Sequence, residues 1–262
     1  MVYREDLLYY TLGAFCLPLL PLLYWQGKRI VKRVPKLPEA DGSMGRTEGS
    51  KDVSISILGI GESTMAGVGV ANQKEGFIGA FSQELNQKTY KTVNWEVVAK
   101  SGIKLKDVSE RLLPKIKLQQ PDLILLAMGG NDAFALRSPK QWEQDSIKLL
   151  AALRQKFGAN TTILLTNMPP IQYFPAFTFL IKMIIGSLVN LYRDKWVRIL
   201  STNKNTYFNS EVIHMDTWKN RYHIEINRTL LFSDGVHPSK LTYQIWGKDM
   251  VSFLAKRKPD FF

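Results

Sequence analysis

The sequence predicts an α/β fold: a parallel sheet of about five strands with helices on both faces, behind an N-terminal helix that anchors the chain to a membrane. Three observations predict it. From Val53 onward, short apolar runs alternate with helical patterns, and that alternation builds strand–helix–strand units. The run DLILLAMG at 122–129 is nearly all apolar, as in a strand buried on both faces. Residues 7–25 form a run of 19 without a charge, which at ~1.5 Å per residue approaches the thickness of a bilayer core.

The N-terminal run has tyrosines and Trp25 towards its ends, then Lys28, Arg29, Lys32, Arg33 and Lys36. Interfacial aromatics and a basic flank mark a membrane anchor, residues 1–35, and the charge asymmetry places the following domain on the cytoplasmic face. A cleaved signal peptide fits poorly, because acids follow the early Arg4 and no small-residue cleavage site precedes the basic cluster. Pro18 and Pro21 leave a kinked span and a re-entrant loop both open. Residues 36–52, rich in Gly, Ser, Pro and charge, read as a linker. The catalytic-type domain then occupies 53–262.

Within that domain, VSISILGIG (53–61) is the first strand, followed by a helix over 76–90. VNWEVVA (93–99) is the second strand, and 105–118 a helix disturbed by Pro114. After the buried strand at 122–129 come a helix over 139–157, a strand at 161–168 and a long helix over 176–200. VIHMD (212–216) is the last predicted strand and 239–255 the last helix. The tail, 256–262, combines basic and aromatic residues and suits a membrane interface or a frayed end.

Ligands of parallel α/β sheets bind beyond the carboxyl ends of the strands. Those ends carry Gly61-Glu62-Ser63-Thr64, Ser101-Gly102, Gly129-Gly130-Asn131-Asp132, and, near the C-terminus, Ser233-Asp234-Gly235-Val236-His237. Together these residue types make a set for nucleophilic acyl transfer. Ser63 is the candidate nucleophile, His237 the base and Asp234 the group that fixes the imidazole. The N–H groups of Ser63 and Gly102 and the amide of Asn131 are candidate oxyanion donors.

These four blocks resemble those of the SGNH hydrolases, or GDSL family, over about residues 53–255. The resemblance implies a flavodoxin-like three-layer α/β/α sandwich and esterase, lipase, thioesterase or carbohydrate-deacetylating activity, with no metal or organic cofactor. The family's Gly-Asp-Ser-Leu is Gly61-Glu62-Ser63-Thr64 in this chain. Glutamate keeps the carboxylate and adds one methylene, which bears on the geometry of the turn.

The expected activity is therefore hydrolysis of acyl esters, with a lipid-like substrate and an anionic membrane surface as partners. Alternatives are removal or transfer of acetyl groups on a cell-envelope glycan, and a catalytically silent, membrane-tethered binding module. On the substrate side, residues 173–192 are apolar almost all round, and Phe177, Phe179 and Met183 are candidate acyl contacts. A P-loop is excluded because no Gly-Lys-Ser/Thr follows the first strand. His214 and His223 lack companions at zinc-ligand spacing and read as structural. Cys16, the single cysteine, excludes a disulfide scaffold.

The formal charge of +12 divides as +3 in residues 1–40 (six basic, three acidic) and +9 in the remainder (29 and 20). No nucleic-acid motif accompanies it, so it points to the membrane surface rather than to nucleic acid.

Overall fold

The computed structural model describes residues 4–225 and 230–262; the first three residues of the anchor lie outside it. The chain opens with α1 (Arg4–Cys16), one 3-10 turn (Leu17–Leu19) and α2 (Leu20–Arg33). Pro18 and Pro21 sit in the first turns of the 3-10 turn and of α2, where a missing N–H breaks no intrahelical bond. The apolar run therefore stays helical throughout, and is long and apolar enough to cross a membrane.

Behind it lies a six-stranded sheet in the order β1-β3-β2-β4-β5-β6. Its strands are β1 (Met44–Thr47), β2 (Lys51–Gly61), β3 (Lys91–Ala99), β4 (Leu123–Ala127), β5 (Thr162–Leu165) and β6 (Thr206–Phe208). All neighbouring pairs are parallel except β1 with β3. Without β1, the order is that of flavodoxin-like sheets, and it reverses between β2 and β4, which makes that crevice the switch point.

Alternation along the strands sorts the core into two layers. Leu58, Ile60, Ile124, Leu126, Ile163 and Leu165 face α4 (Val108–Arg111), α6 (Pro139–Phe157) and α7 (Phe179–Leu200). Ile57, Leu123, Leu125 and Leu164 face α3 (Phe77–Thr89), α8 (Met215–Tyr222) and α9 (Lys240–Arg257). The central strands thus bury both faces, which is why they read as unbroken apolar runs. The sandwich is the three-layer α/β fold that the sequence predicts.

Four local expectations change. The linker carries β1 and is laced to the sheet; Gly45 has no side chain because the Trp95 ring lies where its Cβ would be. Residues 212–216 are not a strand: Met215 begins α8, and Ile213 and Met215 enter the core on opposite sides of the sheet's layers. The last strand is instead the three-residue β6, too short to show a period. The predicted helix over 105–118 is broken into 3-10 turns around α4, with Pro114 in the second of them. The tail is folded back: Phe261 and Phe262 pack on the core and Lys91 Nζ donates to the Phe261 carbonyl at 3.3 Å.

The N-terminal helix does not stand away from the domain. Its inner stripe, at spacings of three, four and seven, includes Asp6, Tyr9, Leu23, Gln26 and Ile30; Tyr9, Leu23 and Ile30 pack on the core. At one end Lys195 of α7, fully buried, holds Asp6 at 3.2 Å and Glu143 at 2.7 Å, and Arg198 holds Glu5 at 3.3 Å. At the other end Thr178, the cap residue of α7, donates to Gln26 at 2.6 Å. The helix therefore lies antiparallel to α7, tied at both ends. Its outer face is exposed and apolar, with Phe15 82% and Leu17 61% accessible.

Leu125, fully buried in the central strand, tests the core. Leu125→Ala is expected to lower unfolding free energy by about 2–5 kcal/mol, read by urea denaturation. Val53→Ala, at an exposed position of β2, is expected to change it by no more than about 0.5 kcal/mol.

Candidate active site

Three segments leave the carboxyl ends of the sheet around its switch point, and a fourth, the turn before α9, lies against them. The first follows β2. Here the chain turns sharply, with Ala66 N donating to the Glu62 carbonyl at 2.9 Å and Val68 N to the Ser63 carbonyl at 3.1 Å. This sets Ser63, half-buried, at the mouth of the crevice.

The Glu62 side chain points the other way and is buried. Its two oxygens accept the N–H groups of Gly130 at 2.8 Å and Asn131 at 2.9 Å, at the start of α5 (Gly130–Phe134). A carboxylate capping free helical N–H groups is favourable. Burial still dominates, however, and pushes its pKa up to about 7 against those bonds.

Asn131 and Asp132 then reach across to the loop after β3. Asn131 Nδ2 donates to the Ile103 carbonyl at 3.0 Å, which orients the amide and leaves its second hydrogen free for the crevice. Asp132, fully buried, accepts from Leu105 N at 2.9 Å and lies 3.4 Å from Arg137 Nε. Burial raises its pKa to about 6, against that bond and the nearby guanidinium. Arg137 in turn pairs with Asp145.

Gly102 sits between these anchors with φ +79, and a Cβ there would meet nothing within 4 Å. The positive φ is what requires glycine; the open space lets a reacting oxygen approach the backbone. Ser101 N, one residue earlier, donates to Glu39 at 2.7 Å, and Lys100 Nζ lies 3.0 Å from the same oxygen. Residues of the segment read as a linker thus hold this turn.

The fourth segment carries the histidine. Asp234 Oδ2 is 2.7 Å from His237 Nδ1, while its Oδ1 accepts from Val236 N at 2.9 Å and His237 N at 2.8 Å. Burial alone would raise the Asp234 pKa, but the ring bond and the two backbone bonds outweigh it and leave the carboxyl lowered. An ionised Asp234 accepts Nδ1–H and leaves Nε2 as the basic nitrogen of the neutral ring.

This turn is fixed to the Ser63 loop. Ser233 Oγ donates to the Gly69 carbonyl at 3.0 Å, and a Cβ at Gly69 would lie 2.3 Å from the Pro238 carbonyl. Tyr243 Oη, from α9, donates to the Val68 carbonyl at 2.8 Å.

Ser63, Asn131 and His237 line two adjoining hollows. One is a cavity of about 240 Å³ walled by Pro169, Pro170, Phe174, Ile213 and Trp218. The other is a groove of about 840 Å³ that includes Gly102 and Phe177. No hydrogen bond joins Ser63 Oγ to the His237 ring among the described residues, a separation common before substrate closes a site.

Of the candidate acyl contacts, Phe177 lines the groove, edge-on to Phe134 at 5.3 Å. Phe179 and Met183 do not reach it. Phe179 is 79% exposed, and Met183 faces the seam with the N-terminal helix. Helical spacing places them on the sides of α7 away from the sheet. His214 and His223 bound α8 at its two ends and line neither hollow.

Three residues that organise the site escaped the sequence. Glu62 drew notice only as a departure from a motif, Asp132 only as the last residue of its block, and Glu39 lay in the segment read as a linker. A carboxylate in an apolar run is the one signal that singles out Glu62.

The model of the GDSL-like Lipase/Acylhydrolase family matches residues 60–245. The chain belongs to that family and is an ester-hydrolysing enzyme of the SGNH type.

Among solved structures, an active-site mutant of a family two carbohydrate esterase from Clostridium thermocellum superposes with a TM-score of 0.55 and 15% identity. It covers 82% of this chain and 66% of its own. The lipase/acylhydrolase from Enterococcus faecalis gives 0.52 at 15% identity, covering 78% and 96%. The structure of TesA gives 0.53 at 20%, covering 77% and 98%. At such identities the likeness is one of fold. No curated protein matches the chain in sequence.

The buried acids predict a pH dependence. Folded Glu62 holds a proton up to about pH 7, whereas unfolded it releases that proton near 4.5. Stability from the neutral group is therefore full below 4.5 and declines as pH rises through 7. The amplitude is roughly 3 kcal/mol, and Asp132 adds a decline of the same sign. Urea denaturation of Glu62→Gln is expected to show a shallower loss between pH 4.5 and 7 than the parent chain. An identical slope would contradict the assignment.

Proposed function

We propose that this enzyme hydrolyses acyl esters of lipid-like molecules at a membrane surface, using Ser63, His237 and Asp234. The observation that carries the reading is the convergence of Ser63, the Asp234-bound His237 ring, Gly102 and Asn131 on one apolar-walled groove.

In the reaction, Ser63 Oγ attacks the ester carbonyl carbon and His237 Nε2 takes the hydroxyl proton. Negative charge gathers on the carbonyl oxygen, where the N–H groups of Ser63 and Gly102 and the free Asn131 amide hydrogen donate to it. The carbon–oxygen bond to the alcohol breaks, and the proton on Nε2 passes to the leaving oxygen. Water then attacks the acyl-serine, its proton going to His237 and on to Ser63 as the acid departs. Asp234 stays ionised and stabilises the imidazolium.

The membrane part of the reading is supported by the exposed apolar outer face of α1 and α2 and by the basic residues that follow. Lys28 and Arg29 stack on Tyr24 and Trp25, at 4.6 and 4.2 Å from the rings. Aromatic and cationic groups side by side suit a headgroup layer. Because both ends of the helix are tied to one domain, it lies along the membrane surface. The charge rule that orients spanning helices then has no span to act on.

With 4-nitrophenyl esters as substrates, Ser63→Ala is expected to lower kcat by at least a thousandfold without loss of fold, and Asp234→Asn by a comparable factor. Full activity in Ser63→Ala would contradict the mechanism. Parallel assays on lysophospholipid and on acetylated sugar read the substrate class; the lipid is expected to be preferred.

A further inference from the structure

The groove beside Ser63 has one wall that belongs to no part of the sandwich. Gly27, Ile30 and Val34, at the end of α2 and just past it, face Phe134, Phe177 and Ile181, with Ser63, Gly102, Asn131 and His237 at the groove's end. Its volume of about 840 Å³ lies within the range of small-molecule sites, about 300–1,000 Å³. Along Ile30, Val34, Phe134, Phe177 and Ile181 the lining is hydrocarbon or aromatic, so an apolar occupant gains there by leaving water. The charged part of the lining, Lys36, Glu39 and Lys100, belongs to the strap after α2 and the turn before Gly102.

We infer that this groove, walled on one side by the N-terminal helix, is a binding site for an unbranched hydrocarbon chain attached to the scissile ester. The helix is then part of the substrate site as well as a tether. This rests on the ester-hydrolase reading of Ser63 and names the site that selects its substrate.

The geometry favours a chain over other occupants for two reasons. The groove adjoins Ser63, so whatever fills it can be continuous with the ester. Its outer wall is also the element whose far face is exposed and apolar, with Phe15 82% and Trp25 52% accessible. The element that walls the groove is thus also the one that would meet a lipid layer.

Farther along the same seam, the helix and α7 leave a second apolar hollow of about 630 Å³. It is lined by Gly13, Cys16, Leu20, Ile184 and Leu188. The helix therefore packs against α7 through its polar ends and a few apolar contacts, and leaves room between them.

Gly27 offers a clean test, because a Cβ there meets nothing within 4 Å and glycine is a poor helix former to begin with. Gly27→Trp fills the groove without pressing on the fold; Leu22→Trp, on the same helix and outside the groove, is the control. The full chain is assayed in nanodiscs with 4-nitrophenyl acetate, 4-nitrophenyl dodecanoate and dodecyl acetate. The last two carry the chain on the acyl and on the alcohol side.

The ratio of kcat/KM for the chain-bearing ester to that for 4-nitrophenyl acetate is expected to fall at least tenfold in Gly27→Trp. It is expected to stay within twofold of the parent in Leu22→Trp. The arm that falls tells which side of the ester enters the groove. Unchanged ratios in both arms, with 4-nitrophenyl acetate still cleaved, would overturn the inference.

A second readout does not need catalysis. A dodecanoate bearing a terminal diazirine is photolysed with Ser63→Ala, and cross-linked peptides are mapped by mass spectrometry. Adducts at Phe177 or Ile181 that disappear with Gly27→Trp support the site. Adducts there that persist with Gly27→Trp, or none there at all, overturn it, whatever becomes of the ester-hydrolase reading.

Discussion

The arrangement of this enzyme turns on one buried carboxylate. Glu62 ends the first strand of the parallel sheet and accepts two backbone N–H groups from the turn after the third, at 2.8 and 2.9 Å. It therefore joins the segment that carries Ser63 to the segment that carries Asn131, across the point where the strand order reverses. The Asn131 and Asp132 side chains extend that joint to the loop of Gly102. The three strand-end segments are thus held by side-chain carboxyl and amide groups, and the turn before α9 by Ser233 and Tyr243. Such networks fix positions tightly in a low-dielectric interior, provided every member is satisfied. The cost is a carboxyl group that burial makes reluctant to ionise.

The same logic ties the N-terminal region to the chemistry. Lys195 is fully buried, and its charge is met by Glu143 and by Asp6 of the first helix. Removing one partner of a buried pair leaves a charge uncompensated, which is more damaging than the pair is favourable. The first helix is thereby bound to one flank of the sandwich. The strap that follows brings Glu39 to the turn of Ser101 and Gly102. The end of α2 and the turn of Ser101 and Gly102 are thus joined through fewer than ten residues, and both line the groove beside Ser63.

Much of this could be read from the chain alone, and the failures have physical causes. The central strands announced themselves because both faces are buried, and α6 because its apolar residues follow helical spacing. Ser63, Asn131, Asp234 and His237 stood out because their residue types recur at strand ends in one order. The edge strand β1 did not, since Met44–Thr47 is half exposed and polar and needs Trp95 beneath it to make sense. Residues 212–216 misled because Ile213 is buried like a strand residue while the chain around it turns into α8. Phe179 and Met183 were chosen for hydrophobicity, yet only the relation of α7 to its neighbours decides which of its apolar residues lines the groove, and that residue is Ile181. The docking of the first helix was equally hidden, because its inner stripe is no more apolar than its outer one. Only partners at positions 178, 195 and 198 distinguish the two faces.

The most direct test of the whole account is a crystal structure of the full chain after reaction with a dodecyl fluorophosphonate, whose phosphorus stands in for the tetrahedral carbon of the ester. The account predicts a covalent bond from phosphorus to Ser63 Oγ and a phosphonyl oxygen within about 3 Å of the Gly102 N–H and Asn131 Nδ2. It also places the dodecyl chain between Gly27 and Phe177. A chain lying elsewhere would contradict the groove, and an adduct on another residue, or none on Ser63, would contradict the mechanism itself.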